Sequence, residues 1–317
     1  MAKRRKASSK KIVKFAPFLV ILVVVLLGMV FALFDNYGIL SYKDITTFLG
    51  LSDKAFKGNE EVKVHFIDVG QGDCTLIESG GTTVLIDAGE MQNDERVCSY
   101  LKAQGIKKLD YVIGTHPHSD HIGALATIIQ NVDVGTVILP KLPDDLVQST
   151  QFYRNLLAAI RNKNLKITQA VPNEEYDLGG ISTLKILGPI TENSKNLNDY
   201  SIVCKLTHGD NTFLFMGDAE ASEEDDLINA NADLKADVLK VGHHGSSTSS
   251  KKKFLKAVSP KYCVIMVGAE NSFNHPNAKT VTRLAKQTDQ IYRTDLLGTI
   301  VVESDGGNYK FTFEKGT

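Results

Sequence analysis

Cysteine is sparse and unclustered in this chain. Four occur, Cys74, Cys98, Cys204 and Cys263, and none stands in a CxxC spacing, which removes zinc ribbons and thioredoxin-like redox sites from consideration. Cys204 and Cys263 lie inside apolar runs and read as small core residues; the sequence leaves a single disulfide open. Internal repeats are absent, and the one low-complexity stretch is the short SSTSSKKK at 246–253, so a solenoid or repeat array is excluded. Excess positive charge is missing from the body of the chain. The formal net charge is −1, but seven of the 36 Lys and Arg fall in residues 1–34, which contain none of the 37 Asp and Glu. The remainder is therefore acidic, with a net charge of −8. Such a body does not suit bulk non-specific binding to nucleic acid, although it leaves room for a local basic patch.

What is present begins with a long apolar run. Residues 15–34 read FAPFLVILVVVLLGMVFALF, 20 residues without a charge, enough for one helix to span a bilayer. The run is longer than a usual signal-peptide core, and no A-x-A-like cleavage site follows it, so an uncleaved anchor is expected. The KRRK cluster and three further lysines precede it; by the positive-inside rule residues 1–14 form a cytoplasmic tail and the body lies outside the cell membrane. Residues 35–60 read as a stalk and 61–317 as the main domain. With 317 residues, 43% hydrophobic and 23% charged, the chain can bury a substantial core.

Twelve strand-length apolar or alternating segments recur along the body: 62–69, 74–79, 82–88, 111–115, 136–140, 182–187, 201–206, 212–217, 236–242, 262–268, 298–304 and 309–314. Helix-period segments lie at 92–104, 122–130, 150–162, 220–229, 251–257 and 277–287. Consecutive strands open and close the set, with strand and helix alternating between. That order predicts an α/β (α+β) domain with two sheets and helices on the outer faces.

Eight histidines occur in the chain, yet three fall within six positions, His116-Pro117-His118-Ser119-Asp120-His121. The run directly follows the strand YVIGT and precedes a helix, so it sits on a strand-to-helix loop. His116 and His118 are two apart and can point the same way in an extended segment. Asp120 and His121 add a carboxylate and an imidazole, which suits a second metal. Two other apolar strands also end in metal-ligand chemistry: FLFMGDAE (213–220) ends at Asp218, and VLKVGHHGS (238–246) ends at His243 and His244. Alone, Asp218 would read as a helix cap; beside a metal loop it becomes a candidate bridging carboxylate.

These residues resemble the metallo-β-lactamase superfamily. Its HxHxDH signature is matched by His116, His118, Asp120 and His121, its lone strand-end aspartate by Asp218, its late histidine by the 243–244 pair, and the upstream aspartate that braces the metal loop by Asp87 in LIDAG. A closer similarity is to the hydrolase domain of ComEC-type competence proteins, through FIDVGQGD (66–73), LIDAG (85–89), FMGDAE (215–220), LKVGHHGSS (239–247), His275-Pro276 and RTDLLGTI (293–300). The resemblance spans about 61–315. It implies an αββα sandwich of two mixed sheets flanked by helices, here preceded by one transmembrane helix, with two divalent ions, zinc or manganese, at one edge. It also implies a membrane-anchored phosphodiesterase or nuclease-like hydrolase using a water between the ions. Alternatives are hydrolysis of a small ester, lactone, β-lactam or phosphocholine ester, and a non-catalytic metal-stabilised binding module.

Two departures from the family pattern stand out. The superfamily usually adds a further histidine to the first site, between the metal loop and the strand-end aspartate. Here that region reads NLNDYSIVCKL (196–206), with no histidine until His208, so the site on His116 and His118 is expected to be weaker or completed by water. Competence proteins of this type also carry a multi-span channel, whereas one span is read here. Within the expected site, Asp120 and Asp218 hold the water and the second ion, completed by His243 or His244; the sequence leaves open which, because neighbours on a strand end point oppositely. His275 could protonate a leaving group or contact phosphate, or be only a loop residue beside Pro276. Asp68, Gln71 and Asp73 brace the metal loop or form their Gly turn. Lys240 and Lys251–Lys253 could contact phosphates, or the lysine run could be a solvated helix start. His65 and His208 read as structural or surface.

Overall fold

The computed structural model describes residues 61–316, apart from 144–145, 147–150 and 192–193. The expected tail, anchor and stalk lie outside the described residues. Among the described residues no helix is long and apolar enough to cross a membrane.

Two mixed sheets face one another. The first comprises β1 (Val62–Phe66), β2 (Thr75–Ser79), β3 (Thr82–Ile86), β4 (Lys108–Ile113), β5 (Asp133–Leu139) and β6 (Lys166–Gln169), with β14 (Ile300–Ser304) and β15 (Tyr309–Phe313) on its other edge, in the order β15-β14-β1-β2-β3-β4-β5-β6. The second comprises β7 (Glu175–Asp177), β8 (Ser182–Gly188), β9 (Val203–His208), β10 (Asn211–Phe215), β11 (Val238–Lys240), β12 (Tyr262–Ile265) and β13 (Ile291–Arg293), in the order β13-β12-β11-β10-β9-β8-β7.

The period of two along each strand divides the apolar residues between layers. In β3, Val84 and Ile86 enter the core between the sheets while Leu85 faces the outer helices; in β10, Phe213 and Phe215 face inward and Leu214 outward. The inner core joins Val64, Phe66 and Val302 of one sheet to Leu206, Phe213 and Val264 of the other. Leu101, Ile128, Leu156 and Ile160 cover the first sheet, and Leu227, Phe254, Leu255 and Leu284 cover the second. This is the four-layer arrangement expected from the order of elements.

All twelve expected strand segments contain a strand. The three unread ones, β6, β7 and β13, are edges of their sheets. They are short, with no fully buried residue, so no apolar pattern marks them. The metal-loop helix starts earlier than read, as one turn at Ser119–Ile122 ahead of Leu125–Asn131. The lysine run is a helix start: Lys251 is the N-cap of Lys252–Val258. All four cysteines are free thiols.

Candidate metal centre

Parallel pairing inside each mixed sheet sets the site. β3 and β4 run parallel with Ile86 opposite Ile113, so Asp87 and Thr115 emerge side by side. β10 and β11 run parallel with Phe215 opposite Lys240, so the turn to Asp218 and the turn to His243 and His244 also emerge together. Two close approaches lock these loops. Gly72 has φ +133°, and a Cβ there would lie 2.2 Å from the Asp120 carbonyl oxygen; Asp73 N–H donates to that same oxygen at 3.1 Å. Gly217, at φ +51°, sits where a Cβ would lie 3.0 Å from Ser201 Cβ and 3.2 Å from Thr115 Cβ.

Asp87 is fully buried and holds the start of the metal loop. Thr115 N–H donates to its Oδ1 at 2.8 Å, Thr115 Oγ1 to its Oδ2 at 2.6 Å, and His121 Nδ1 to Oδ2 at 2.8 Å. Burial pushes the Asp87 pKa up, while His121 and Thr115 pull against that rise. His121 Nε2 then faces Asp218 Oδ1 at 3.1 Å and His244 Nε2 at 3.3 Å. The other ring nitrogen of His244 donates to the Met266 carbonyl at 2.9 Å, and its Nε2 lies 3.2 Å from Asp120 Oδ2 and 3.5 Å from Asp218 Oδ1.

On the other side of Asp218, Oδ2 lies 3.9 Å from His116 Nε2 and 3.7 Å from His243 Nε2. His116 Nε2 is 3.0 Å from His118 Nδ1. Ser201 Oγ is 3.3 Å from His116 Nδ1 and accepts the Asp218 N–H at 3.0 Å. Asp218 is therefore not the cap of the following helix, a place taken by Glu220 without a side-chain capping bond.

The converging atoms are mostly acceptors. With Nδ1–H of His121 on Asp87 and Nδ1–H of His244 on Met266, both Nε2 lone pairs point at each other and at carboxylate oxygens. Asp218 Oδ1 is buried with no hydrogen-bond donor. Such a cluster requires a positive charge in its midst, a proton or a metal ion. Without a metal, protons fill the role: burial opposes charge on His121, but Asp218, Asp87 and Asp120 outweigh it and raise its pKa well above the ordinary value. His244 behaves alike, with burial overcome by Asp218, Asp120 and Asp73. Asp218 is held well below the carboxylate range by His121 and His244 against its burial. His116 and His118 are instead pushed down by burial and present neutral imidazoles, the form that binds metal.

Asp73, His121, Asp218 and His244 each bring a ligand-capable atom within 4.8 Å of the others. Asp73 reaches this group from behind. Its Oδ1 is 3.3 Å from His244 Nδ1 and its Oδ2 is 2.5 Å from Lys240 Nζ, whereas Asp120 stands before Nε2. Lys240 corrects one expectation. It is 2% exposed, paired to Asp73, and donates to the Val241 carbonyl at 2.8 Å, so it is a buried brace with no access to a phosphate in solvent. Asp68 serves the turn, accepting the Gly70 N–H at 3.0 Å, whereas Gln71 ties the turn to the loop after β12, accepting the Gly268 N–H at 3.3 Å.

The expectation that adjacent histidines diverge fails at 243–244. Both residues adopt left-handed backbone, φ 50°, ψ 48° and φ 50°, ψ 26°, which turns the chain so that both rings reach Asp218. His275 joins them, its ring 5.2 Å from that of His243 and stacked at 5.8 Å on exposed Phe273. Its Nδ1 is buried without a partner, and burial pushes its pKa down to about 4. Asn271 shapes that loop, accepting the His275 N–H at 2.9 Å and donating to the Gly268 carbonyl at 2.9 Å. His65 and His208 are structural, His65 on Tyr100 and Glu78, His208 on Ser304. Glu220 and Ser201 were not singled out in the sequence. Glu220 lay in the FMGDAE phrase as an acid two residues past Asp218, whereas nothing marked Ser201.

Comparison with known proteins agrees with this geometry. The chain matches the family model described as Metallo-beta-lactamase superfamily over residues 67–268. It is 30% identical over 271 residues to ComE operon protein 3 of Bacillus subtilis (strain 168), covering 76% of this chain and 33% of that protein. It is 27% identical over 267 residues to Competence protein ComA of Neisseria gonorrhoeae, covering 80% and 35%, and 30% identical over 245 residues to Recombination protein 2 of Haemophilus influenzae, covering 76% and 28%. The chain thus spans about a third of the length of these relatives. Among solved structures, CmlA, a diiron beta-hydroxylase from Streptomyces venezuelae, is similar with a TM-score of 0.52 at 15% identity, covering 86% of this chain and 59% of that one; that likeness concerns the fold. With the family signature matched and a buried aspartate–histidine cluster able to hold metal, the chain belongs to the metallo-beta-lactamase superfamily as a metal-dependent hydrolase.

Proposed function

We propose that the chain is a membrane-anchored phosphodiesterase or nuclease-like enzyme, related to the hydrolase region of ComEC-type competence proteins and acting outside the membrane. The observation that carries the reaction is Asp218, whose two buried oxygens each face a separate set of imidazoles. A carboxylate so placed suits two ions side by side. His121, His244 and Asp120 stand on one side, with His116 and His118 on the other. Bound there, divalent ions supply Lewis-acid stabilisation of a phosphoryl oxygen and a nucleophilic water at neutral pH.

The chain's own groups do the rest. Asp87 fixes the His121 tautomer, and the Met266 carbonyl fixes that of His244, so neither ring reorients during turnover. His275, neutral at physiological pH, offers a ring N–H to a substrate oxygen, and Phe273 gives an exposed aromatic face beside it. Support for a nucleic-acid phosphodiester comes from relatives named for competence and recombination. Support for the anchor comes from the uncharged run at 15–34, and its basic flank favours, by the positive-inside rule, a cytoplasmic N-terminus with the body outside.

The test uses the full chain in detergent, loaded with manganese, zinc or cobalt. Bis-p-nitrophenyl phosphate, single-stranded DNA and nitrocefin are offered in parallel. Turnover of the phosphodiesters, lost in Asp218→Ala, is expected. Nitrocefin turnover alone would move the assignment to small-ring hydrolysis, and no turnover of any substrate by metal-loaded protein sinks the enzymatic reading. Protease shaving of intact cells should remove the body; a protected body beside cleaved surface controls would reverse the topology.

A further inference from the structure

We propose that His243, oriented by Glu220, supplies the imidazole that completes the ion site on His116 and His118, so that the two adjacent histidines serve different ions. The inference rests on the metal-dependent reading above and deepens it. Asp218 divides the donors. Its Oδ1 side holds His121 Nε2, His244 Nε2 and, through His244, Asp120 Oδ2. That set already offers four donors, the usual number for zinc. Its Oδ2 side holds His116 Nε2 and, 3.0 Å from it, His118 Nδ1, which with Oδ2 make three. His243 Nε2, 3.7 Å from Oδ2, is the fourth. Neighbouring donors on a tetrahedral ion lie about 3.3 Å apart, so His243 Nε2, 3.7 Å from Oδ2, and His116 Nε2, 3.9 Å from it, would each need to close by about half an ångström.

The ring is held as a ligand is held. His243 Nδ1 lies 3.0 Å from Glu220 Oε1, which directs Nε2 at Asp218, just as Asp87 directs His121 and Met266 directs His244. Glu220 is fixed in turn by Asn198 Nδ2 at 3.0 Å. No histidine lies between His121 and His208 to fill this place from elsewhere, and His208 is spent on Ser304. Ser201 Oγ is occupied behind His116. The backbone carries a second, independent sign. Two successive non-glycine residues at φ 50° are strained, and strain of this kind persists where function requires it. Here it brings consecutive rings, 6.1 Å apart between centroids, onto opposite oxygens of one carboxylate. An extended pair could present only one of them.

Metal binding to the full chain in detergent, followed by equilibrium dialysis and elemental analysis, tests this directly. The variants are His243→Asn, which tolerates left-handed backbone, Glu220→Gln and His244→Asn. The wild type should bind two zinc ions per chain. His243→Asn should weaken one binding step by at least tenfold and leave the other within twofold. Glu220→Gln should weaken that same step by a smaller factor, and His244→Asn the other step. A merely structural role for His243 would shift both steps together, and a substrate role would leave both intact while raising KM; either outcome overturns the inference. A wild type that binds no divalent ion overturns the parent reading as well, so the two failures are distinct. Should His243→Asn misfold, Glu220→Gln carries the same comparison.

Discussion

Asp87→Asn isolates what a residue touching no substrate contributes. Asparagine matches aspartate in shape and tolerates the left-handed backbone at this position, φ 58°. Its amide oxygen can still accept the Thr115 N–H that Oδ1 now accepts at 2.8 Å. Its NH2 then replaces Oδ2, which accepts from Thr115 Oγ1 at 2.6 Å and from His121 Nδ1 at 2.8 Å. The threonine hydroxyl can turn and accept. The imidazole cannot turn, because it is fully buried; it must move its proton to Nε2. That nitrogen faces Asp218 Oδ1 at 3.1 Å and His244 Nε2 at 3.3 Å, so the lone pair aimed into the cluster is lost. Removing such a supporting group weakens metal affinity by roughly 10–100-fold, about 1.4–2.7 kcal/mol.

The assay is metal affinity by dialysis, beside thermal unfolding of the metal-free chain. The expected result is a chain that still unfolds cooperatively, at a lowered temperature because the metal-free His121 loses its buried carboxylate partner, with one weakened binding step, the step also weakened in His244→Asn. Wild-type affinity in a folded Asp87→Asn protein would refute the tautomer argument, since the proton would then have found another place.

Three further outcomes follow from the same contacts. Lys240→Met strands Asp73 in a buried site and should destabilise the fold by about 3–5 kcal/mol, read from denaturant unfolding; Lys240→Met with Asp73→Leu should recover part of that loss. Metal affinity should rise with pH, because His121 and His244 have raised pKa values in the metal-free state and must release protons to bind; calorimetry in buffers of different ionisation enthalpy should detect that release, and none would contradict it. Glu224 accepts the N–H groups of Ser250 and Lys251, yet burial raises its pKa from 4.5 to about 7. The folded chain then holds a proton that the unfolded chain gives up, so stability contributed here falls as pH rises from 4.5 through 7. Glu224→Gln should narrow the difference in unfolding temperature between pH 5 and pH 8, and an unchanged difference would show that Glu224 does not titrate in that window.

The layers of the fold could be read because burial leaves a period. Val84, Leu85 and Ile86 alternate between two cores, and that alternation is visible without coordinates. Edge strands such as Glu175–Asp177 bury little and leave no period to find. The site was legible as chemistry, since His116, His118, Asp120, His121, Asp218 and the 243–244 pair are all ligand types at strand ends. It was not legible as geometry. The direction of His243 depends on the sign of φ at a non-glycine residue, which composition does not encode; the flanking Gly242 and Gly245 were the available hint. Lys240 misled because lysine reads as surface, although it stands in an apolar run that fills an inner strand of the second sheet. A charge in such a place needs a buried partner, and Asp73, in the FIDVGQGD phrase, was the candidate to supply it.

Charge accounting explains why this collection of residues belongs together. Asp73 is balanced by Lys240. Asp87, Asp120, Asp218 and Glu220 remain, four carboxylates set among the imidazoles. For scale, two like charges 4 Å apart at an effective dielectric of 20 repel by about 4 kcal/mol, so four cannot share a buried edge uncompensated. Protons on His121 and His244 supply two positive charges, which is why those two rings titrate upward while His116 and His118 titrate downward. One divalent ion in place of those protons would leave the total no better balanced. Two would cancel all four carboxylates and return every imidazole to its neutral, ligating form. Asp120 stands against His244 on one side of Asp218, and Glu220, acting through His243, would bring a further balancing charge to the side that carries His116 and His118.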